Sequence, residues 1–416
     1  MIIKINSKLI KELYLILVIL FSGQAIYIFR SREGLIILFS LGLIIFFNDT
    51  VKLKKEVLFA ISIWLFYFII NSLIIKSFHP YFMFSYISLI MISYWLLNYF
   101  REAIFYKYVQ ILFYLVIISL IFLLIWQIIP NTIETVFNKI DLSGNLFANK
   151  NYSSIVFYTI SETENLAGLK RNSGYCWEPG PFSCYIALAL FFFILKNKNL
   201  NKNNITKVVL FIITILTTKS TTGYILLFII ILWSAVYIYK NHYLSLAIAL
   251  MLICIFIFIS LRSPILWPKI KDEFNQDINV IINRSILNER SYAPGRFASF
   301  RLAIEDFKNY PIAGYGGNTT LRYGFQYGAQ VVTINGLGNI LSRYGLIGFT
   351  IFTFIVIYSG SWLINKYNAK GKIIFPLVIF VIGFSFGIIE TPIIFSFIMS
   401  GYYLREKHHK NNINKI

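Results

Sequence analysis

Apolar runs alternate along this chain with short polar clusters, a spacing that predicts membrane-crossing helices. A bilayer core is spanned by about 20 apolar residues in a helix, and runs of that order lie at 13–29, 57–75, 81–100, 108–129, 243–261 and 346–364. Others are shorter or broken. The run 35–47 is uncharged, and 181–195 follows a Pro-Gly-Pro break. The stretch 208–239 is interrupted by Thr217, Thr218, Lys219, Ser220, Thr221 and Thr222, which predicts a tight turn between two helices. Near the end, Glu390, Thr391 and Pro392 separate 373–389 from 393–404, and Glu390, a lone acid at that junction, either lines a cavity or caps the second helix, with the cap slightly favoured. The expected fold is an all-α polytopic membrane domain over 1–416, with about twelve transmembrane helices and two long polar loops, 130–180 and 262–345.

Composition agrees. Of 416 residues 57% are hydrophobic and 13% charged, whereas soluble domains are about a quarter charged, so the chain lacks the polar surface to stay in water. The lipid bilayer is its expected surrounding. A formal charge of +20 would suggest nucleic acid in a soluble protein. Here the Lys residues cluster between apolar runs and serve topology, so no nucleic-acid partner is expected.

Cytoplasmic loops carry excess Lys and Arg. With twelve spans and both termini inside, the inner segments hold 20 basic and 5 acidic residues against 18 and 13 outside. The short outer turns keep only Arg30, Arg32, Lys76 and Lys219. Both termini are therefore expected to be cytoplasmic and both long loops outside. The first apolar run lacks a small-residue cleavage site and reads as a retained helix. Cys176, Cys184 and Cys254 are widely placed and imply neither a disulfide framework nor a metal site. No repeated halves are visible, which argues against a secondary transporter.

Arginine is sorted between the two sides. Eight of the twelve lie in the long loops: Arg171, Arg262, Arg284, Arg290, Arg296, Arg301, Arg322 and Arg343. Topology needs only charge, whereas a planar guanidinium holds phosphate or carboxylate in a defined geometry. A phosphate-bearing ligand fits the set, although any single Arg could pair with Glu289, Glu305 or Asp306.

The first loop ends in Arg171-Asn-Ser-Gly-Tyr-Cys-Trp-Glu178-Pro-Gly-Pro181, placing Glu178 at a helix start. It reads either as a cap drawn to the helix dipole or as a general base or sugar-hydroxyl acceptor beside Arg171. A nearby Arg and a helix N-terminus lower a carboxylate's pKa, which weakens a base but not a sugar ligand. In the second loop, Phe297, Phe300, Ile304 and Phe307 recur at helical spacing and predict an amphipathic helix ended by Pro311. Arg301 and Glu305 form an i,i+4 pair on it, while Arg296 at its start has no acid one turn on. The Gly314-Tyr315-Gly316-Gly317 turn offers backbone amides to a phosphate or is simply a turn. Neither long loop contains a His, so His catalysis and His-ligated metal are not expected there, and no metal or other cofactor is expected.

Taken in order, Arg171…Gly174…Glu178-Pro-Gly180…Tyr185, Thr218-Lys-Ser-Thr-Thr-Gly223, Gly295-Arg296 with Pro311…Gly314-Tyr-Gly316, and Asn335…Ile340-Leu341…Gly345…Gly348 resemble the bacterial O-antigen and capsule polymerases and the related O-antigen ligases. The Glu-Pro-Gly piece is nearer the polymerases. The resemblance covers 171–348 by motif and implies a GT-C-like fold in the cytoplasmic membrane. It also implies metal-independent, inverting glycosyl transfer from a glycan on undecaprenyl diphosphate at the outer face. The acceptor would be another lipid-linked repeat unit for a polymerase or lipid A core for a ligase, and a chain-length regulator is a possible partner. Arg171 and Arg296 would hold the diphosphate, with Glu178 beside them. Arg290, Arg301, Tyr315 and Asn335 are the candidate substrate-binding residues. Ligases have His immediately before the Asn that resembles Asn335, and here Ile334 stands in that place. A lipid-linked-oligosaccharide flippase is the alternative of another class.

Overall fold

The computed structural model describes residues 7–47, 53–144, 152–161, 170–198, 202–237, 271, 275–287, 294–329, 331 and 333–405. The span expected at 243–261, and with it Arg262 and Arg290, lies outside the described residues. Among the described residues, five helices are long and apolar enough to cross a membrane: α3 (Lys55–Ile75), α4 (Pro80–Phe100), α5 (Ala103–Ile128), α7 (Pro179–Lys196) and α12 (Gly336–Lys366). Around them stand α1 (Ser7–Gly23), α2 (Arg32–Ile45), α8 (Lys202–Thr217), α9 (Thr221–Tyr237), α13 (Ile374–Ser385) and α14 (Pro392–Leu404). The polar run at 217–222 is the expected turn between α8 and α9.

The bundle faces outward with apolar residues. Phe66 and Leu73 of α3, Leu124 and Ile128 of α5 and Phe354 of α12 are all at least 60% exposed. Contiguous apolar surface of this kind is costly in water and is at home against lipid tails, as in a membrane protein. Inside the bundle, α7 has every residue from 179 to 195 buried, and it is wrapped by α5, α8 and α9. Helix α14 is the second hub and packs on α1, α4 and α12. Lipid offers no hydrophobic drive for helices to associate, so close approach and interhelical hydrogen bonds hold them. A Cβ on Gly401 would sit 2.6 Å from Ser359 Cα, and Ser359 Oγ donates to the Ile398 carbonyl at 2.5 Å. Ser396 to Ser93 (3.1 Å) and Thr222 to Ser385 (2.9 Å) join further pairs.

The described parts of both long loops are folded. In the first, α6 (Pro130–Ile140) and a two-stranded antiparallel hairpin, β1 (Tyr152–Ser154) and β2 (Thr159–Ser161), enclose a small core of Leu123, Trp126, Phe137, Tyr158 and Ile160. The hairpin departs from the all-α expectation. In the second, α10 (Ile278–Leu287) and α11 (Arg296–Asn309) lead to α12, which breaks at Gly345 (φ +63°). The deepest face of α11 is not the expected phenylalanine face but Ala298, Ser299, Leu302, Ala303 and Asp306. Gly338 of α12 allows that approach, because a Cβ there would lie 2.8 Å from Ala303 Cβ. Phe297 and Phe300 turn sideways onto Phe384 of α13, with centroids 5.2 and 5.7 Å away.

Candidate functional site

The segment before α7 is fastened to the end of α1. Gln24 and Cys176 form an antiparallel bridge, and the Trp177 N–H donates to the Gly23 carbonyl at 3.3 Å. Gly174 has φ +50°, and a Cβ there would lie 2.4 Å from the Phe182 ring, so only glycine makes this turn. The turn sets Arg171 and Glu178 at its two ends.

Arg171 Nε donates to the Thr218 carbonyl at 3.0 Å and Nη2 to the Lys219 carbonyl at 3.3 Å. Both carbonyls follow the C-terminus of α8, where the helix dipole is negative. Asn172 holds the neighbouring backbone by donating to Ser119 (3.2 Å) and Thr217 (3.3 Å) while accepting from the Gly174 N–H. Burial pushes the Arg171 pKa down, Glu178 raises it and Arg296 lowers it further. Lys219 is also pushed down, by burial and then by Arg171. The region therefore gathers cations while Arg171 stays charged, as guanidinium does in proteins.

Glu178 is the N-cap residue of α7 but makes no side-chain cap bond. The first and third helical residues are Pro179 and Pro181, which have no N–H to donate, and this corrects the capping reading. Its carboxylate instead accepts from the Tyr152 hydroxyl at 3.4 Å, delivered by β1 of the hairpin. It remains partly exposed.

Arg296 opens α11, and its guanidinium lies 5.0 Å from the centroid of the Phe386 ring. The same ring packs on Gly180, where a Cβ would meet Phe386 Cζ at 2.1 Å. Arg296 thus reaches the start of α7 across Phe386, and the two long loops meet there. Asn335 is fully buried, accepts the Gly338 N–H at 2.7 Å as the cap of α12, and donates to the Arg296 carbonyl at 3.4 Å. It sits behind Arg296 and holds it in place.

The other candidates lie elsewhere. Arg301 Nη2 donates to the Gln276 carbonyl at 2.6 Å, and Glu305 pairs with Lys308 at 2.7 Å in place of the expected Arg301–Glu305 pair. Tyr315 is buried, with the Arg322 guanidinium 5.6 Å from its ring centroid. Arg322 bonds the buried Asp306 at 3.1 Å, the Val331 carbonyl and Thr333, tying the second loop together. Burial raises the Asp306 pKa, and Arg322 opposes that. Arg290 lies outside the described residues. The glycine-rich turn is a packing device: Gly314, Tyr315 and Gly316 already donate their N–H groups to Tyr310, Ser342 and Arg343 carbonyls. A Cβ on Gly316 would clash with Asn71, so the turn faces α3.

A second polar centre forms around Glu390, whose partners the sequence did not reveal. Glu390 is not the cap of α14, whose N-cap is Thr391. Its carboxylate takes Arg343 Nη1 at 2.9 Å on Oε2, with the Tyr86 hydroxyl at 3.1 Å and the Tyr344 hydroxyl on Oε1. The only signal in the sequence was a lone acid between two apolar runs. Among the described residues no group of three or more His, Cys, Asp or Glu comes together. No family model, previously described protein or solved structure matches the chain.

Proposed function

We propose that this membrane protein is a glycosyltransferase that polymerises undecaprenyl-diphosphate-linked oligosaccharide repeat units, from about twelve spans with cytoplasmic termini and both long loops on the outer face of a bacterial cytoplasmic membrane. The observation that carries the reading is the meeting of Arg171 and Arg296, from separate loops, beside Glu178. Arg171 feels both the Glu178 carboxylate and the Arg296 guanidinium, and two guanidinium groups brought to one place suit a diphosphate. Carbonyls of Thr218 and Lys219 hold Arg171 in orientation, so its charge needs no reorganisation as a leaving group becomes negative.

In the proposed step, a hydroxyl of the acceptor sugar attacks the anomeric carbon of the donor. The bond from that carbon to the diphosphate oxygen breaks, and the electron pair leaves with the diphosphate onto Arg171 and Arg296. Glu178 takes the hydroxyl proton, or holds the hydroxyl while the proton passes to the departing diphosphate, and the configuration inverts. Deleting the gene in its native host and separating surface glycan on a gel tests this: a single repeat unit on the acceptor is the expected product. Lipid-linked chains accumulating with none attached would mean a ligase, and loss of all exported repeat units would mean a flippase.

A further inference from the structure

The Glu390 centre opens into a cleft of about 210 Å³ at the loop end of the bundle, lined among others by Gln24, Tyr81, Tyr86, Arg343, Tyr344 and Glu390. Its chemistry differs from that of the Arg171 region. Glu390 and Arg343 neutralise each other at 2.9 Å. Arg30, also on the wall, donates from Nη2 to the Ser143 carbonyl at 2.6 Å, and Asp141 acts on its charge. With Glu390 and Arg343 paired to each other and Arg30 bonded to a backbone carbonyl, the wall presents mainly hydrogen-bonding groups to a ligand. A carboxylate has about four acceptor sites, and three donors already orient this one, so it is a fixed acceptor with room for one more hydrogen bond. The aromatic wall is equally fixed: Trp64 stacks on Tyr86 at 4.3 Å, and Tyr86 meets Tyr344 edge-on at 5.2 Å.

An oriented carboxylate, a guanidinium, phenol hydroxyls, an amide and aromatic faces suit a ligand that is uncharged, rich in hydroxyls and apolar on one face. A sugar ring has those properties. The volume lies below the roughly 300–1,000 Å³ of pockets for drug-sized ligands and suits one ring. The cleft is also coupled to α7. Thr391, on its wall, has Oγ1 3.1 Å from the Tyr185 hydroxyl, which donates to the Ser22 carbonyl at 2.6 Å. Tyr185 lies about 10 Å along α7 from Glu178, at about 1.5 Å per residue.

We infer that the Glu390–Arg343 cleft binds one uncharged sugar residue of the acceptor glycan. Sugar binding follows from the cleft itself, and only its assignment to the acceptor rests on the transferase reading. The test uses the full chain in lipid nanodiscs and isothermal titration with two probes: undecaprenyl diphosphate, and oligosaccharides released by mild acid from the host's surface polysaccharide. Glu390→Gln and Tyr86→Phe are expected to weaken oligosaccharide binding about tenfold or more and to leave undecaprenyl diphosphate affinity unchanged, with Arg171→Ala doing the reverse. Tyr86→Phe removes a hydroxyl without uncovering a charge, and a thermal midpoint confirms that each variant is folded. Oligosaccharide binding unchanged in both folded variants, or none by the wild type up to about 10 mM, overturns the inference. Oligosaccharide binding that depends on Glu390, with no binding of undecaprenyl diphosphate, sustains the cleft and removes the transferase reading.

Discussion

Arg171 and Arg343 stand at the same end of the bundle, yet backbone carbonyls hold one and a carboxylate holds the other. Carbonyl dipoles orient a guanidinium without cancelling its charge, whereas a carboxylate removes most of the field it would offer a ligand. At an effective dielectric constant of about 20, two unit charges 4 Å apart interact by roughly 4 kcal/mol, so the difference decides what each region can hold. The Arg171 region, with Arg296 and Lys219 nearby, suits an anion. The Glu390 cleft suits a neutral ligand with hydroxyl groups. The partner of each arginine, more than the arginine itself, sets the chemistry.

The strongest way to break this contrast is Arg171→Ala, which should cut chain extension by roughly 10²–10³-fold at normal protein level in a gel of native-host glycan. Arg171→Lys should recover little, because an ammonium cannot span the two carbonyls as a planar fork does. Glu178→Gln should fall between them if the carboxylate takes the proton. Wild-type glycan length in Arg171→Ala would remove that residue from the site. Next is Arg343→Ala, which leaves Glu390 without its counter-charge and should cost about 1–3 kcal/mol of stability, less than a fully buried pair because the cleft admits water. A thermal midpoint reads that loss, and Arg343→Met with Glu390→Met should restore most of it. A single-mutant midpoint equal to wild type would mean that the pair is not what holds the cleft. The smallest effect is expected from Asn335→Ala, about 1 kcal/mol for the lost cap of α12, seen in the same assay. A weaker hold on Arg296 should also appear as reduced undecaprenyl diphosphate affinity, which a cap alone would not change.

The difference between the regions also explains how much could be read in advance. Arg171 and Glu178 sit in one short segment bounded by glycines and prolines, so a local pattern marked them before any fold was known. Glu390 is 47 positions from Arg343 and 304 from Tyr86 along the chain. A cluster built across such distances leaves no periodicity, and a lone acid at a helix junction resembles a cap. Asn335 stood out by position, but only the structure shows that its side chain serves Gly338 and the Arg296 carbonyl. The α11 face was legible in part: Phe297 and Phe300 do reach Phe384 of the bundle, but the deepest residues include the smaller Ala298 and Ala303, and Gly338 opposite Ala303 gives it room.

The sequence by itself determined the solvent of this protein, the positions of its long apolar helices and the turn between α8 and α9. Hydropathy and turn chemistry act over a few consecutive residues, so they are written locally. Only the tertiary structure decided that a carboxylate faces Arg343 while backbone carbonyls face Arg171, that the glycine-rich turn packs on α3, and that Glu390 faces a cleft. Each of those depends on which groups from distant segments come within hydrogen-bonding range, and that is settled by how the helices pack.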